Sequence, residues 1–378
     1  MSLADDPGLS PVARLFVRLC EIPSPSRSEE GVARLVRDEL ADLGAEVSED
    51  GAASMLPAGS GNIVGRFPPT HDGGVPIAFA AHMDTVPVEP PIEVVLDGGM
   101  FTNARPQILG GDDKSAVAAT LEGVRQTLEQ GRPHAGIELI FTPCEEIGLL
   151  GAAAFDPARL NASYGFVYDH TGPLGGIITS APWLSKIHAS FHGTPAHAGI
   201  APEDGRSAIS AAAAAIDRMP LGRIDPETTA NVGTISGGAA TNVVAPRCEL
   251  LAEARSRSES ALSAQIGAML DALTAAAAAT EVDLETRVVS EFRGYRLTAN
   301  DPQVQIARDA LEGLGYTPEL LSSGGGSDVN ALLANGFPAV NLCNEMIDIH
   351  TADERIAVES LERMVDITRA IIERAAAA

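Results

Sequence analysis

Residues 75–84 read VPIAFAAHMD, an apolar run of strand length that ends on His82 and Asp84. Three other runs end in the same way. IELIFTPC at 137–144 leads into Glu145 and Glu146, GFVY at 165–168 into Asp169, and FPAVNLCNE at 337–345 is followed by His350. Short runs rich in Val, Ile and Phe read as buried strands, and strands apolar throughout are buried on both faces, as in a parallel sheet. The fold class is therefore α/β, a mostly parallel sheet flanked by helices. Ligands of open α/β sheets collect at the carboxyl ends of the strands. Nitrogen and oxygen donors delivered to one sheet edge make a metal site the first functional hypothesis.

His82 and Asp84 stand two apart, so their side chains fall on one side of the strand, and a metal-bound imidazole usually donates its other N–H to a carboxylate. An isolated H-x-D is most often ordinary surface or core. Glu145-Glu146 would be a solvated turn in most settings, yet here the pair ends an apolar strand, where two carboxylates repel without a cation. One of them can bind metal while its neighbour acts as general base. In GGDDKS at 110–115, Asp112 stands at the start of a helix marked by Val117, Leu121, Val124 and Leu128. Capping is the ordinary role of an aspartate there. His82, Asp112, Glu146, Asp169 and His350 together are too many for one tetrahedral zinc but suffice for two if a carboxylate bridges.

Two denser motifs carry less chemistry. On a strand, His188 and His192 share the face opposite Ile187, Ala189 and Phe191, with no acidic residue near to complete a metal site, whereas His197, in a turn of small residues, could be presented to a ligand. SSGGGSD at 322–328 lacks the Lys-Ser or Lys-Thr of a phosphate loop, and the G-x-S-x-G spacing fails at Val329. Its glycines, Gly325 among them, read as a tight turn bringing backbone close to a substrate.

From about Ser180 to Glu291 the pattern becomes strand, helix, strand, strand, helix, strand, the order of a ferredoxin-like unit. With ligand-bearing strands on both sides of it, 181–291 reads as an insertion into a catalytic domain made of 1–180 and 292–378. Ser10-Pro11 reads as a helix start, and Ser26 to Glu29 has capping-box spacing. Of the 378 residues 45% are apolar, and 26 basic against 51 acidic residues give a formal charge of -25. That charge repels nucleic acid and anionic membrane. Cys20, Cys144, Cys248 and Cys343 are too dispersed for a disulfide framework or a thiolate zinc knot. The opening MSLADDPGLS carries aspartates where a signal peptide carries Lys or Arg. A cytoplasmic location is expected.

Taken together, HMDTV at 82–86, GGDDKS at 110–115, FTPCEEIGLLGA at 141–152, HGTPAHAG at 192–199 and SGGGSDVNALLANGFPAVNL at 323–342 resemble the di-zinc family of peptidase T, aminoacylase, succinyl-diaminopimelate desuccinylase and glutamate carboxypeptidase. FTPCEEIG, the GPLGG after Asp169 and DIHTADERI look most like the tripeptide aminopeptidase branch. The resemblance implies two zinc ions, with manganese or cobalt able to occupy the same donors. Asp112 would bridge them, His82 and Asp169 would complete one site, and Glu146 and His350 the other. Glu145 would be the general base that takes a proton from a water bridging the ions, and Asp84 would orient His82. The Asp112–Asp113 peptide is expected to be cis. In the inserted lid or dimerisation domain, His197 resembles a histidine that reaches a neighbouring subunit's site to stabilise the oxyanion, so a homodimer is implied. Asn242 and Arg255 resemble residues that hold a substrate carboxylate. The expected activity is tripeptide aminopeptidase. Its alternatives are a deacylase or carboxypeptidase on N-acylated amino acids or dipeptides, and, in a different class, a non-catalytic metal-dependent binding protein. Cys144 departs from the polar residue that often precedes the glutamate pair in tripeptidases.

Overall fold

A computed structural model describes residues 3–378. The chain forms two compact units: the described residues up to Thr179 with Leu297–Ser323 and Ser327–Ala378, and Ser180–Arg296 with Gly324–Gly326.

In the first unit all four apolar runs form strands, and they lie side by side. The order is Ile137–Thr142, Ile77–His82, Tyr164–Val167, Ala339–Leu342, with every neighbouring pair parallel. All their carboxyl ends therefore point the same way. Every residue of Ile77–His82 and Ile137–Thr142 is buried, the two-faced burial expected of central parallel strands. The flanks are antiparallel: Ile63–Phe67 pairs with Ile137–Thr142 on one side, and Gly176–Ala181 with Ala339–Leu342 on the other. The sheet is thus mixed, parallel where the donors emerge and antiparallel toward its edges.

Register then sets the level of each donor. His82 is opposite Thr142, and Ala80 is opposite Val167, so Asp169, two residues on, falls level with His82. Helix Gly111–Glu129, which begins next to Asp112, is wedged against helices Pro11–Cys20 and Val358–Ala376 within one continuous apolar core. Helix Pro11–Cys20 starts at Ser10 with Pro11 at its first position, as its sequence predicts. The capping-box expectation at Ser26 is not met. The helix begins at Glu30, and the Ser26 hydroxyl instead donates to Asp84 Oδ2 at 2.6 Å, because a buried carboxylate at the sheet edge is the stronger acceptor.

The second unit is an antiparallel sheet in the order Gly222–Asp225, Thr228–Gly237, Arg247–Ser256, Trp183–His192, Asp283–Phe292. Four of these strands with helices Ala208–Arg218 and Glu259–Thr280 give the ferredoxin-like succession, and Gly222–Asp225 is an extra edge strand. Alternation along Trp183–His192 buries Ile187, Ala189 and Phe191 and turns His188 and His192 to the other face. Helix Glu259–Thr280 is long and apolar enough to cross a bilayer; its Met269, Leu273 and Ala276 are buried in this unit's core.

Gly123 marks a close crossing of helices Gly111–Glu129 and Val358–Ala376. A Cβ there would meet Thr368 Cγ2 at 2.6 Å, and Thr368 is pinned by hydrogen bonds to Met364 O and Tyr168. Helix propensity alone would favour replacing this glycine, by under about 1 kcal/mol, while overpacking costs about 1–3 kcal/mol. The clash should win. Gly123→Val is expected to lower the urea midpoint of unfolding, and an unchanged midpoint would show that the crossing can open.

Candidate metal centre

At the carboxyl edge of the parallel strands three sets of side chains bring ligand atoms within 4.8 Å of one another: His82, Asp112 and Asp169; His82, Glu145 and Glu146; Asp112, Glu146 and His350. Asp112 lies between two histidines. Its Oδ1 is 3.5 Å from His82 Nε2, and its Oδ2 is 3.2 Å from His350 Nε2. His350 Nε2 is also 2.9 Å from Glu146 Oε1, and Glu145 Oε2 lies 4.0 Å from His82 Nε2.

Each donor is held by its neighbours. His82 Nδ1 lies 2.9 Å from the main-chain oxygen of Asp84 and 3.6 Å from its carboxylate, so the backbone is the nearer orienting group. The Asp84 carboxylate has a second task, accepting the N–H groups of Glu145 at 2.8 Å and Glu146 at 3.2 Å. It thereby shapes the turn that presents both glutamates. Glu29 supports the same turn from behind, accepting the Cys144 N–H at 3.2 Å. Cys144 is buried in a left-handed conformation (φ 58°), its thiol donates to Glu29 Oε1 at 3.3 Å, and burial with the adjacent Glu29 pushes that thiol up to about 12. Asn341 clasps Asp169 by its backbone, accepting its N–H at 2.8 Å and donating to its carbonyl at 2.7 Å. The Asp112–Asp113 peptide is cis. Neither aspartate caps its helix: Gly110 is the N-cap residue, and the carboxylate of Glu354 accepts the N–H groups of Gly110, Gly111 and Asp112 at 2.9, 2.9 and 3.0 Å.

Asp84, Glu29, Asn341 and Glu354 differ in how readable they are. Asp84 and Glu354 lie inside quoted motifs, HMDTV and DIHTADERI. Asn341 and Asp328 also lie inside a quoted motif, SGGGSDVNALLANGFPAVNL, and Glu29 in the capping-box stretch, but nothing local names their partners, which for Glu29 and Asn341 lie 115 and 172 residues away. Asp328 is buried and hydrogen-bonded to Thr142, and burial pushes its carboxyl up to about 6.

The electrostatics describe a site short of positive charge. Burial, then the charge of Asp169, drives Glu145 well above the usual carboxylate range; burial, then Asp112, does the same to Asp169. Burial likewise opposes charge on Asp112, but hydrogen bonds from His350 and His82 hold it well below that range. Hydrogen bonds to Asp112 and Glu146 push His350 up to about 10. Asp169 Oδ2 and both carboxylate oxygens of Asp113 are buried without a hydrogen-bond partner. Orphaned buried carboxylate oxygens are costly. Divalent cations among these oxygen and imidazole donors would remove that cost, so the residues fit a metal centre.

The model of peptidase family M20/M25/M40 matches residues 78–374. The chain belongs to the peptidase M20 family. It is 38% identical over 361 residues to the uncharacterized protein YqjE of Bacillus subtilis, covering 96% of this chain and 97% of that one. Among solved structures it is similar to aminopeptidase PepT of Bacillus cereus (39% identity, TM-score 0.88, 97% and 98% of the two chains) and to a tripeptidase of Staphylococcus aureus (33%, TM-score 0.92, 97% and 98%). Peptidase T of an Exiguobacterium strain is 24% identical, over 90% of this chain and 92% of its own. As an M20 member the protein is a metallopeptidase, and the donors above lie in the matched segment.

The remaining candidate residues lie in the second unit. His197 is exposed, and its Nδ1 accepts the Gly199 N–H at 3.2 Å, which leaves the ring proton on Nε2 as a donor. Asn242 is exposed, and its carbonyl accepts the Ala198 N–H in the same turn. Arg255 turns its guanidinium fork onto Glu253 of its own strand, at 2.9 and 3.3 Å. Gly325 sits in the Gly324–Gly326 segment, where a Cβ on the next glycine would strike the Phe292 ring at 2.5 Å.

Because His350 titrates higher in the folded metal-free protein than its ordinary 6.5, its contribution to stability is complete below pH 6.5 and is lost as pH rises through about 10. The raised acids act with the same sign. Chelator-treated protein should therefore lose melting temperature as pH is raised from about 6.5 toward 10. His350→Ala should flatten that decline, and an equally steep profile in the variant would contradict the assignment. Metal binding displaces these protons and should flatten it too.

Proposed function

We propose that the protein is a di-zinc aminopeptidase that acts on short peptides, tripeptides foremost. The observation that carries the reading is the retention of Glu145 beside a full donor set, in a chain alike over nearly its whole length to an aminopeptidase and a tripeptidase. A non-catalytic metal-dependent binder has no use for that extra carboxylate.

Asp112 would be shared by both ions, with His82 and Asp169 on one side and Glu146 and His350 on the other. When bound, the ions would polarise the scissile carbonyl and lower the pKa of water. The protein's own groups perform the proton transfers. Glu145, buried beside the donor set with its Oε2 4.0 Å from His82 Nε2, takes the proton of the attacking water and returns it to the leaving amine. The Asp84 grip on the 145 and 146 amides keeps the base and its neighbouring ligand at a fixed separation. His197, as an Nε2–H donor, would serve the developing oxyanion. This requires a second subunit, with Ser180–Arg296 as a lid or dimerisation unit. Asn242, Arg255 and the Gly325 turn would hold the peptide, Arg255 exchanging Glu253 for a substrate carboxylate in a bidentate geometry.

Glu145→Ala should leave bound zinc near the wild-type amount while kcat falls by roughly 10²–10⁴-fold; unchanged turnover would remove Glu145 from the mechanism. Chelation should abolish activity, and add-back of zinc, manganese or cobalt would rank the metals. Substrate class is tested by comparing a free-amine tripeptide with its N-acetylated form. Cleavage of the blocked peptide alone would replace the aminopeptidase reading with a deacylase or carboxypeptidase one.

A further inference from the structure

Glu354 belongs to no donor set, yet the segment that carries it touches Asp112 at both ends. Its carboxylate is 2% exposed and is saturated by backbone donors, Oε2 by Gly110 and Oε1 by Gly111 and Asp112. Four residues earlier in the same segment, His350 Nε2 meets the Asp112 side chain at 3.2 Å. One short stretch thus fixes the Asp112 amide and the Asp112 carboxylate together.

The loop that delivers this stretch is not relaxed. Glu345, Asp348 and His350 have φ of 61°, 52° and 64°, the left-handed region that favours glycine. Such conformations persist where surrounding contacts over-determine them. Those contacts are present: Ile347 and Arg355 exchange two backbone hydrogen bonds at 3.0 Å, Arg355 Nη1 reaches Asp348 Oδ2 at 2.7 Å, and the Thr351 hydroxyl donates to Asp348 O at 2.7 Å. Arg355 closes the loop on itself. Glu354, its neighbour, ties the loop to the start of helix Gly111–Glu129. Without it three amide donors at that helix start would lose their acceptor.

We propose that Glu354 is a positioning residue that holds the His350 loop in register with Asp112, and so sets the affinity of the ion shared by Asp112, Glu146 and His350. An ordinary helix cap would stabilise the fold to the same degree wherever His350 lay. Here the cap and the ligand are rigidly joined, so loss of the cap is transmitted to the donor geometry. The inference rests on the two-ion reading given above.

The test is equilibrium zinc affinity, measured by competition with a chromophoric chelator, alongside the melting temperature of the metal-free protein. In Glu354→Ala one zinc should bind about 10–100-fold more weakly, the range for loss of a group that orients metal ligands, while the other stays near wild type. Glu354→Gln keeps the oxygen that serves Gly111 and Asp112 but sets an amide N–H against Gly110, so a smaller loss of roughly 3–10-fold is expected. It carries the test if the alanine variant does not fold. In a His350→Ala background, replacing Glu354 should leave the affinity of the remaining zinc unchanged, since the coupled partner is gone. Two zinc ions bound with wild-type affinity in either Glu354 variant, with only the melting temperature lowered, would overturn the proposal. So would an affinity loss that persists undiminished without His350. Failure of the wild-type protein to bind two zinc ions would instead sink the underlying two-ion reading, and the two failures are separable.

Discussion

Buried negative charge is the constraint around which the first unit is arranged. Asp112, Glu145, Glu146 and Asp169 converge on one sheet edge with two imidazoles between them. Burial, and then the like charges beside them, push Glu145 and Asp169 far above the ordinary range. No fold gathers such residues for stability. The arrangement becomes favourable once cations replace the protons.

Around the donors lies a layer of carboxylates and amides that bind main-chain N–H groups. Asp84 takes two from the glutamate turn, Glu29 supports that turn from the Cys144 side, Glu354 takes three from the helix start, and Asn341 brackets Asp169. These contacts fix the backbone from which each ligand projects. Four strands bring their donors to the edge, but this layer sets their spacing. The conformations it sustains include left-handed residues at 144, next to Glu145, and at 345, 348 and 350 in the loop that carries His350.

The residues proposed to handle substrate are organised on different principles. His197, Asn242 and Arg255 belong to an antiparallel sheet unit with its own core, in which alternation separates buried apolar residues from a polar face. Their present partners lie within the same unit: Gly199 for His197, Ala198 for Asn242, Glu253 for Arg255. Likeness to an aminopeptidase and a tripeptidase extends over this unit as well as the first.

Much of this was legible in the order of residues alone. An apolar strand that ends on a histidine or a carboxylate is visible locally, because both burial on two faces and the type of the terminal residue are properties of a short segment. Four such segments were enough to indicate a parallel sheet with metal donors at one edge, and the ferredoxin-like succession between them was equally readable from periodicity. What the tertiary structure alone decided was the set of contacts between distant segments. That Ser26 bonds Asp84 instead of capping a helix, that Glu354 rather than an aspartate takes the helix start at Gly110, and that Asn341 steadies Asp169 all depend on which hydrogen-bonding groups are buried together. Burial makes each such group find a partner, and that partner is chosen by packing in space, which sequence separation does not reveal.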